Sequence, residues 1–188
     1  MFNLNSQTFY KNHSEELSKF YNKHYKTFHI IDGNKDSKLL FQENTHYFST
    51  KKDFSVKDLD KDNLYDQLIL TNFIENSNDF VEIFQDYQDM LKNDNKVIVT
   101  SINTKWTWLV SILSMLKFIK SKRPKNYITK KTIENTFKGF GYTMTKHYTR
   151  QIFPFKLFYI GTFMNILLEV IFFRFNLGLK SYFVFVKN

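Results

Sequence analysis

The chain has 188 residues, 43% of them hydrophobic and 24% charged, which is enough for one domain with its own core and excludes wholesale disorder. Zero cysteines exclude a disulfide scaffold, a cysteine-ligated metal site and a thiol nucleophile, and five glycines and two prolines exclude a linker-like chain. The net charge of +9 conceals a split: residues 1–91 hold 10 basic and 15 acidic residues, a balance of −5, whereas residues 92–188 hold 17 and 3, a balance of +14, which points to an anionic partner for the second half.

Met1 to Tyr10 is polar and lacks the basic start and apolar run of a secretory signal, so a cytoplasmic protein is expected. Leu17, Phe20, Tyr21 and Tyr25 recur at helical spacing, which predicts a helix from Ser14, as N-cap, to Tyr25. Phe28 to Ile31 is a short β-like run ending at Asp32-Gly33-Asn34, a turn signal that by itself reads as an ordinary type I turn. Residues 35–63 are polar and weakly patterned apart from a strand-like stretch at His46 to Ser49.

From residue 64 the pattern sharpens. Leu64 to Leu70 reads as a buried strand, Phe80, Ile83, Phe84, Tyr87 and Leu91 as a helix, Asn93-Asp94-Asn95 as a turn, and Lys96 to Ser101 as a second strand. Strand, helix and strand at this spacing form a βαβ unit with parallel strands. Trp106 to Ile119 is apolar on most faces and is followed by a basic break at Lys120 to Lys125. Thr129 caps a helix running to about Lys138, closed by Gly139 or Gly141. Tyr142 to Tyr148 and Leu179 to Val186 read as strands, which should pair antiparallel at one edge of the sheet.

Candidate functional residues follow from this layout. Thr71-Asn72 closes a strand at the end where open α/β sheets bind ligands, although it also suits a turn that leads into the helix after Asp79. Asn103, Trp106 and Trp108 follow the next strand on the same edge, where tryptophans clamp a substrate, pack in the core or sit among lipid headgroups. The five histidines show no metal-ligand spacing, so no metal site is expected; His147, close to Arg150 in sequence, is the one candidate base. No G-x-S-x-G elbow supports serine hydrolase chemistry, and Glu15-Glu16 and Asp86/Asp89 read as solvated helix faces. Phe155 to Phe175 has the length of a membrane span, but Lys156, Asn165, Glu169 and Arg174 interrupt it. A charge at the bilayer centre costs on the order of 2.5–3.5 kcal/mol, so a buried or interfacial helix is expected instead. With no nucleic-acid motif beside the charge, an anionic membrane surface is favoured over nucleic acid.

Several strings, in this order, resemble class I S-adenosylmethionine-dependent methyltransferases. Tyr65 to Asn72 is similar to the family's fourth-strand motif, Met90 to Val99 to its helix end, turn and fifth strand, and Gly139-Phe140-Gly141-Tyr142 to the start of its sixth strand. A narrower likeness, to the subgroup found with polyprenyl-phosphate glycosyltransferases, rests on Asn103 and Trp106, on Asn126-Tyr127-Ile128, and on Pro154 with Asn165. The resemblance covers about residues 64–187. It implies a single α/β domain over residues 1–188 with a Rossmann-like, mostly parallel sheet and an antiparallel C-terminal pair. Within it, residues 1–63 would be a reduced cofactor half and residues 64–188 the better-matched half. The implied cofactor is S-adenosylmethionine, held by Asp32, Gly33, Asn34, Thr71 and Asn72. Asn103, Trp106, His147 and Arg150 would stand on the substrate side. The implied function is methyl transfer in surface-glycan or polyprenyl-linked sugar metabolism, at the inner face of the membrane and with a glycosyltransferase as partner. The first third departs from the family: Lys35 and Ser37 stand where the glycines of the cofactor turn are expected, and only residues 41–64 remain for its ribose-binding segment. That departure predicts weak or absent cofactor binding, and with it an alternative, a non-catalytic relic that binds a glycosyltransferase at the membrane.

Overall fold

The structure of the chain, a computed structural model, describes residues 13–31, 45–49, 64–74, 79–115, 128–150 and 178–188. Helix α1, at 13–18, precedes strands β1 (Thr27–Ile31), β2 (Thr45–Ser49) and β3 (Tyr65–Thr71). Helix α2 (Phe80–Gln88) leads to β4 (Leu91–Ile102), a short 3-10 turn (Thr104–Trp106) and α3 (Thr107–Met115). Helix α4 (Lys130–Gly139), β5 (Tyr142–Arg150) and β6 (Lys180–Lys187) follow. The strands form one six-stranded sheet in the order β2-β1-β3-β4-β6-β5. The first four are parallel neighbours, while β6 runs antiparallel between β4 and β5. The sheet thus has the expected βαβ unit and antiparallel edge pair, and it draws strands from both halves of the chain.

Leu68, Ile69 and Leu70, like Val97, Ile98 and Val99, are apolar in succession because both faces of the sheet are covered. On one face, α2 and α4 pack an aromatic layer: Phe137 stacks on Phe185 at 4.2 Å between ring centroids and meets Phe84 edge-on at 4.8 Å. Both helices carry the caps that their sequences provide. Asp79 Oδ1 accepts from the N–H groups of Val81 and Glu82, each at 3.1 Å, and Thr129 Oγ1 accepts from Thr132 N–H at 3.2 Å. Helix α4 is closed at Gly141, whose φ of 81° suits a residue without a Cβ. On the opposite face, Leu17 and Phe20 pack α1 and the turn after it onto Ile69, Ile98, Tyr182 and Val184.

Two local expectations are corrected, and the strand expected at His46 to Ser49 is present. The helix predicted over Ser14 to Tyr25 is helical only at 13–18, with Ser14 inside it and not capping it. The Asn22 side chain accepts His24 N–H at 3.1 Å, a local turn that competes with further helix. Asn93-Asp94-Asn95 lies within β4: Leu91 already pairs with Tyr65, the chain bulges out, and pairing resumes at Lys96 with Gln67. Asn95 Nδ2 closes the bulge by donating to Lys92 O at 2.6 Å. His46 to Ser49, within the weakly patterned stretch, is β2 and pairs parallel with β1. Phe155 to Phe175, Pro154, Asn165, Lys35, Ser37, the 120–125 break and Asn126-Tyr127 lie outside the described residues.

Candidate functional site

In the sheet, β1 is flanked by β2 on one side and β3 on the other, so the strand order reverses between β1 and β3. At such a reversal the connections leave in opposite directions and open a crevice beyond the carboxyl ends of the strands. Ile31, Ser49 and Thr71 end their strands in register there. β4 ends at the same edge opposite Lys180, where β6 begins and β5 finishes at Arg150. Thr71-Asn72 is therefore at the mouth of the crevice. Asn72 takes φ 53°, a left-handed conformation that asparagine tolerates, and its N–H donates to Thr100 O at 3.2 Å. Asp32, Gly33 and Asn34 directly follow β1 and lie outside the described residues.

Beside this mouth, on the face that α1 covers, one polar row crosses four strands. Tyr148 pairs with Tyr182, Tyr182 with Thr100, and Thr100 with Thr71. Two histidines stand on the row. His29, on β1, holds Thr71 Oγ1 through Nε2 at 2.9 Å, and His13, on α1, holds the Tyr182 hydroxyl through Nδ1 at 2.8 Å. Burial lowers the His29 pKa to about 3. Burial, with Lys180 and His29 nearby, holds that of His13 well below the usual imidazole range, so both rings are neutral at physiological pH. His13 Nε2 and Thr100 Oγ1 are buried without a hydrogen-bond partner among the described residues. Each such atom costs roughly 1–3 kcal/mol, which marks this as a place where a ligand would be welcome. Further along the edge, Glu16 accepts from the Tyr148 hydroxyl at 3.2 Å and faces Arg150 Nε at 3.8 Å. Burial and Glu16 raise the Tyr148 pKa, so that hydroxyl keeps its proton. Neutral groups thus line the β1–β3 side of the edge, and the cations Lys180 and Arg150 stand on the β6–β5 side.

The remaining sequence candidates divide. The buried Asn103 uses its amide on the backbone: Nδ2 donates to Gly178 O at 2.8 Å and Oδ1 accepts from Lys105 N–H at 3.2 Å. Trp106, half-buried, closes the 3-10 turn through its N–H to Asn103 O at 2.9 Å. His147 and Arg150 are not brought together. Residues three apart on a strand point to opposite faces, so His147 stacks on Phe183 at 4.7 Å under α4 while Arg150 faces Glu16. Burial and Lys130 lower the His147 pKa to about 4. Asp66, in the motif at the start of β3, lies at the far end of the sheet, bonded to Lys92 Nζ at 2.6 Å and Lys26 N–H at 2.9 Å. His13, His29, Thr100 and Tyr182 carry no local signal in the sequence that would single them out. Among the described residues, no three histidine, aspartate or glutamate side chains gather as a metal site, and no helix is long and apolar enough to cross a membrane.

No protein-family model and no curated protein sequence matches the chain. Solved structures do. A SAM-dependent methyltransferase from Thermotoga maritima is 13% identical with a TM-score of 0.61, over 95% of this chain and 89% of that one. A SAM-dependent methyltransferase from Archaeoglobus fulgidus is 13% identical with a TM-score of 0.57, over 95% and 94%. The magnesium protoporphyrin IX methyltransferase of Synechocystis, solved with bound SAH, is 7% identical with a TM-score of 0.53, over 97% and 84%. At these identities the likeness is one of architecture. The chain has the Rossmann-like fold of class I SAM-dependent methyltransferases.

Proposed function

We propose that the chain is a SAM-dependent methyltransferase whose cofactor lies in the β1–β3 crevice and whose methyl acceptor lies toward β6. The observation that carries this reading is Thr71-Asn72 at the strand-order reversal, beside a buried row of hydroxyls and neutral imidazoles. The donor set fits the cofactor: hydroxyl and amide groups serve its amino-acid and ribose parts, and the two rings add no positive charge beside its sulfonium. Thr71 and Asn72 would hold it, with residues 32–34 completing the turn. When bound, it supplies an electrophilic methyl group. The chain's own contribution is to position and desolvate the acceptor. His13 is oriented by Tyr182 and neutral, and in the tautomer that donates from Nδ1 it offers Nε2 to take the proton of a hydroxyl or amine.

The acceptor class, a surface glycan or polyprenyl-linked sugar, and a glycosyltransferase as partner rest on the likeness of Asn103, Trp106, Pro154 and Asn165 to that methyltransferase subgroup. The second reading, a relic that has lost its cofactor, is favoured by Lys35 and Ser37 at the turn. Calorimetry separates the two. We expect SAM to bind with a dissociation constant of about 10–100 µM, weaker than the roughly −8 kcal/mol of a 1 µM site, because of those two residues. Asn72→Gly keeps the left-handed backbone while removing the amide, and should weaken binding about tenfold at nearly unchanged stability. No heat of binding up to millimolar SAM selects the relic. Equal affinity in the wild type and Asn72→Gly removes the cofactor from this crevice.

A further inference from the structure

Helix α3 begins at the site edge, directly after β4 and the 3-10 turn. A helix on the surface of a domain normally turns its apolar stripe inward. On α3 Trp108, Ile112 and Met115, spaced i, i+4 and i+7 on one face, point to solvent with exposures of 60%, 42% and 61%. The stripe belongs to a basic stretch of the sequence: between Asp94 and Glu134 there are nine Lys/Arg and no acid, and the side chain of Lys105 at the head of the helix is exposed.

We propose that this face of α3 docks on the surface of an anionic lipid bilayer. The choice of occupant follows from the two properties together. A second copy of this chain would meet the stripe with the same net charge of +9. Nucleic acid answers the charge but leaves three large apolar side chains in water. An acidic bilayer answers both, with tryptophan at the headgroup level and Ile112 and Met115 against the acyl boundary. Docked this way, the protein brings the carboxyl edge of its sheet to the membrane surface, and none of the described helices needs to cross it. The surface does not depend on methyl transfer and is tested without a cofactor.

The test is co-sedimentation of the full chain with vesicles of phosphatidylglycerol and phosphatidylcholine, or of phosphatidylcholine alone, at low and high salt. The wild type should pellet with acidic vesicles, less as salt shortens the reach of the charges, and poorly with neutral ones. The double variant Trp108→Ser/Met115→Ser, at exposed positions that leave the thermal melt unchanged, should lower the partition constant by about tenfold or more. Pelleting of the variant equal to that of the wild type would show that charge alone, and not α3, makes the contact. Recovery of the wild type in the supernatant under every condition would equally overturn the proposal.

Discussion

Gly178→Ala should lower the stability of the protein by about 3 kcal/mol or more, seen as a fall of roughly 10 °C in the thermal midpoint. A Cβ built on Gly178 would collide with Arg150 N and stand 2.6 Å from Arg150 O and Thr149 C. These are backbone atoms of β5, so no side chain can swing aside to make room. The same glycine ties three elements together: its N–H donates to Thr149 Oγ1 at 2.9 Å, and its carbonyl accepts from the Asn103 amide at 2.8 Å. Relief of the clash would part β5 from the turn after β4 and loosen the edge that carries Lys180 and Arg150. Gly139→Ala is the control, because nothing lies within 4 Å of its added Cβ. At the end of α4 it should be neutral or stabilising by up to about 1 kcal/mol. Equal melts for Gly178→Ala and the wild type would mean that the backbones at 150 and 178 do not approach this closely.

Acid should destabilise the fold earlier than its carboxylates alone would. The unfolded chain takes up a proton on each histidine near pH 6.5, whereas the folded chain refuses one at His29 until about pH 3 and at His13 until well below 6.5. Between those limits the unfolded state binds more protons, so stability is full above pH 6.5 and is lost as pH falls. The loss is about 1 kcal/mol per pH unit for each buried ring. His13 is faced by Tyr182, Lys180 and His29, and His29 by Thr71 and His13, with no carboxylate among these groups to take up the charge. Urea midpoints should therefore decline from about pH 6.5 to 4.5, before ordinary carboxylates titrate. His29→Gln, which keeps a donor for Thr71 but does not titrate, should remove about a third of that slope, because His13 and His147, whose pKa is also lowered, carry the rest. A flat profile over this range in the wild type would show that the rings are solvated.

The parts of this fold that show in the sequence are those with local causes. Leu68 to Leu70 and Val97 to Val99 announce doubly covered strands, Asp79 and Thr129 announce helix starts, and Phe80, Phe84 and Tyr87 announce the buried side of α2. Thr71-Asn72 was legible for the same reason, as a polar pair closing an apolar strand. What stayed hidden depends on distant partners. His13 owes its burial to Tyr182, 169 residues away, and the polar row exists only because four strands align in register. Leu17 and Phe20 do face the sheet as the helical spacing implied, but Asn22 turns the chain before Tyr25 can join them. The pairing of His147 with Arg150 failed on strand periodicity. The irregular register between Met144 and Lys146 further obscured which face each side chain would take.

The interior position of β6 has a consequence for synthesis. It follows every other described strand in the sequence, yet it supplies neighbours to both β4 and β5. A nascent chain paused before residue 180 has already made the apolar run Val97 to Val99, with the flank of β4 that β6 will cover still open, and β5 lacks its described neighbour. An open strand flank of that kind recruits strands from other chains. The described sheet therefore closes only once residues 180–187 have emerged, and until then the nascent protein should depend on holding chaperones.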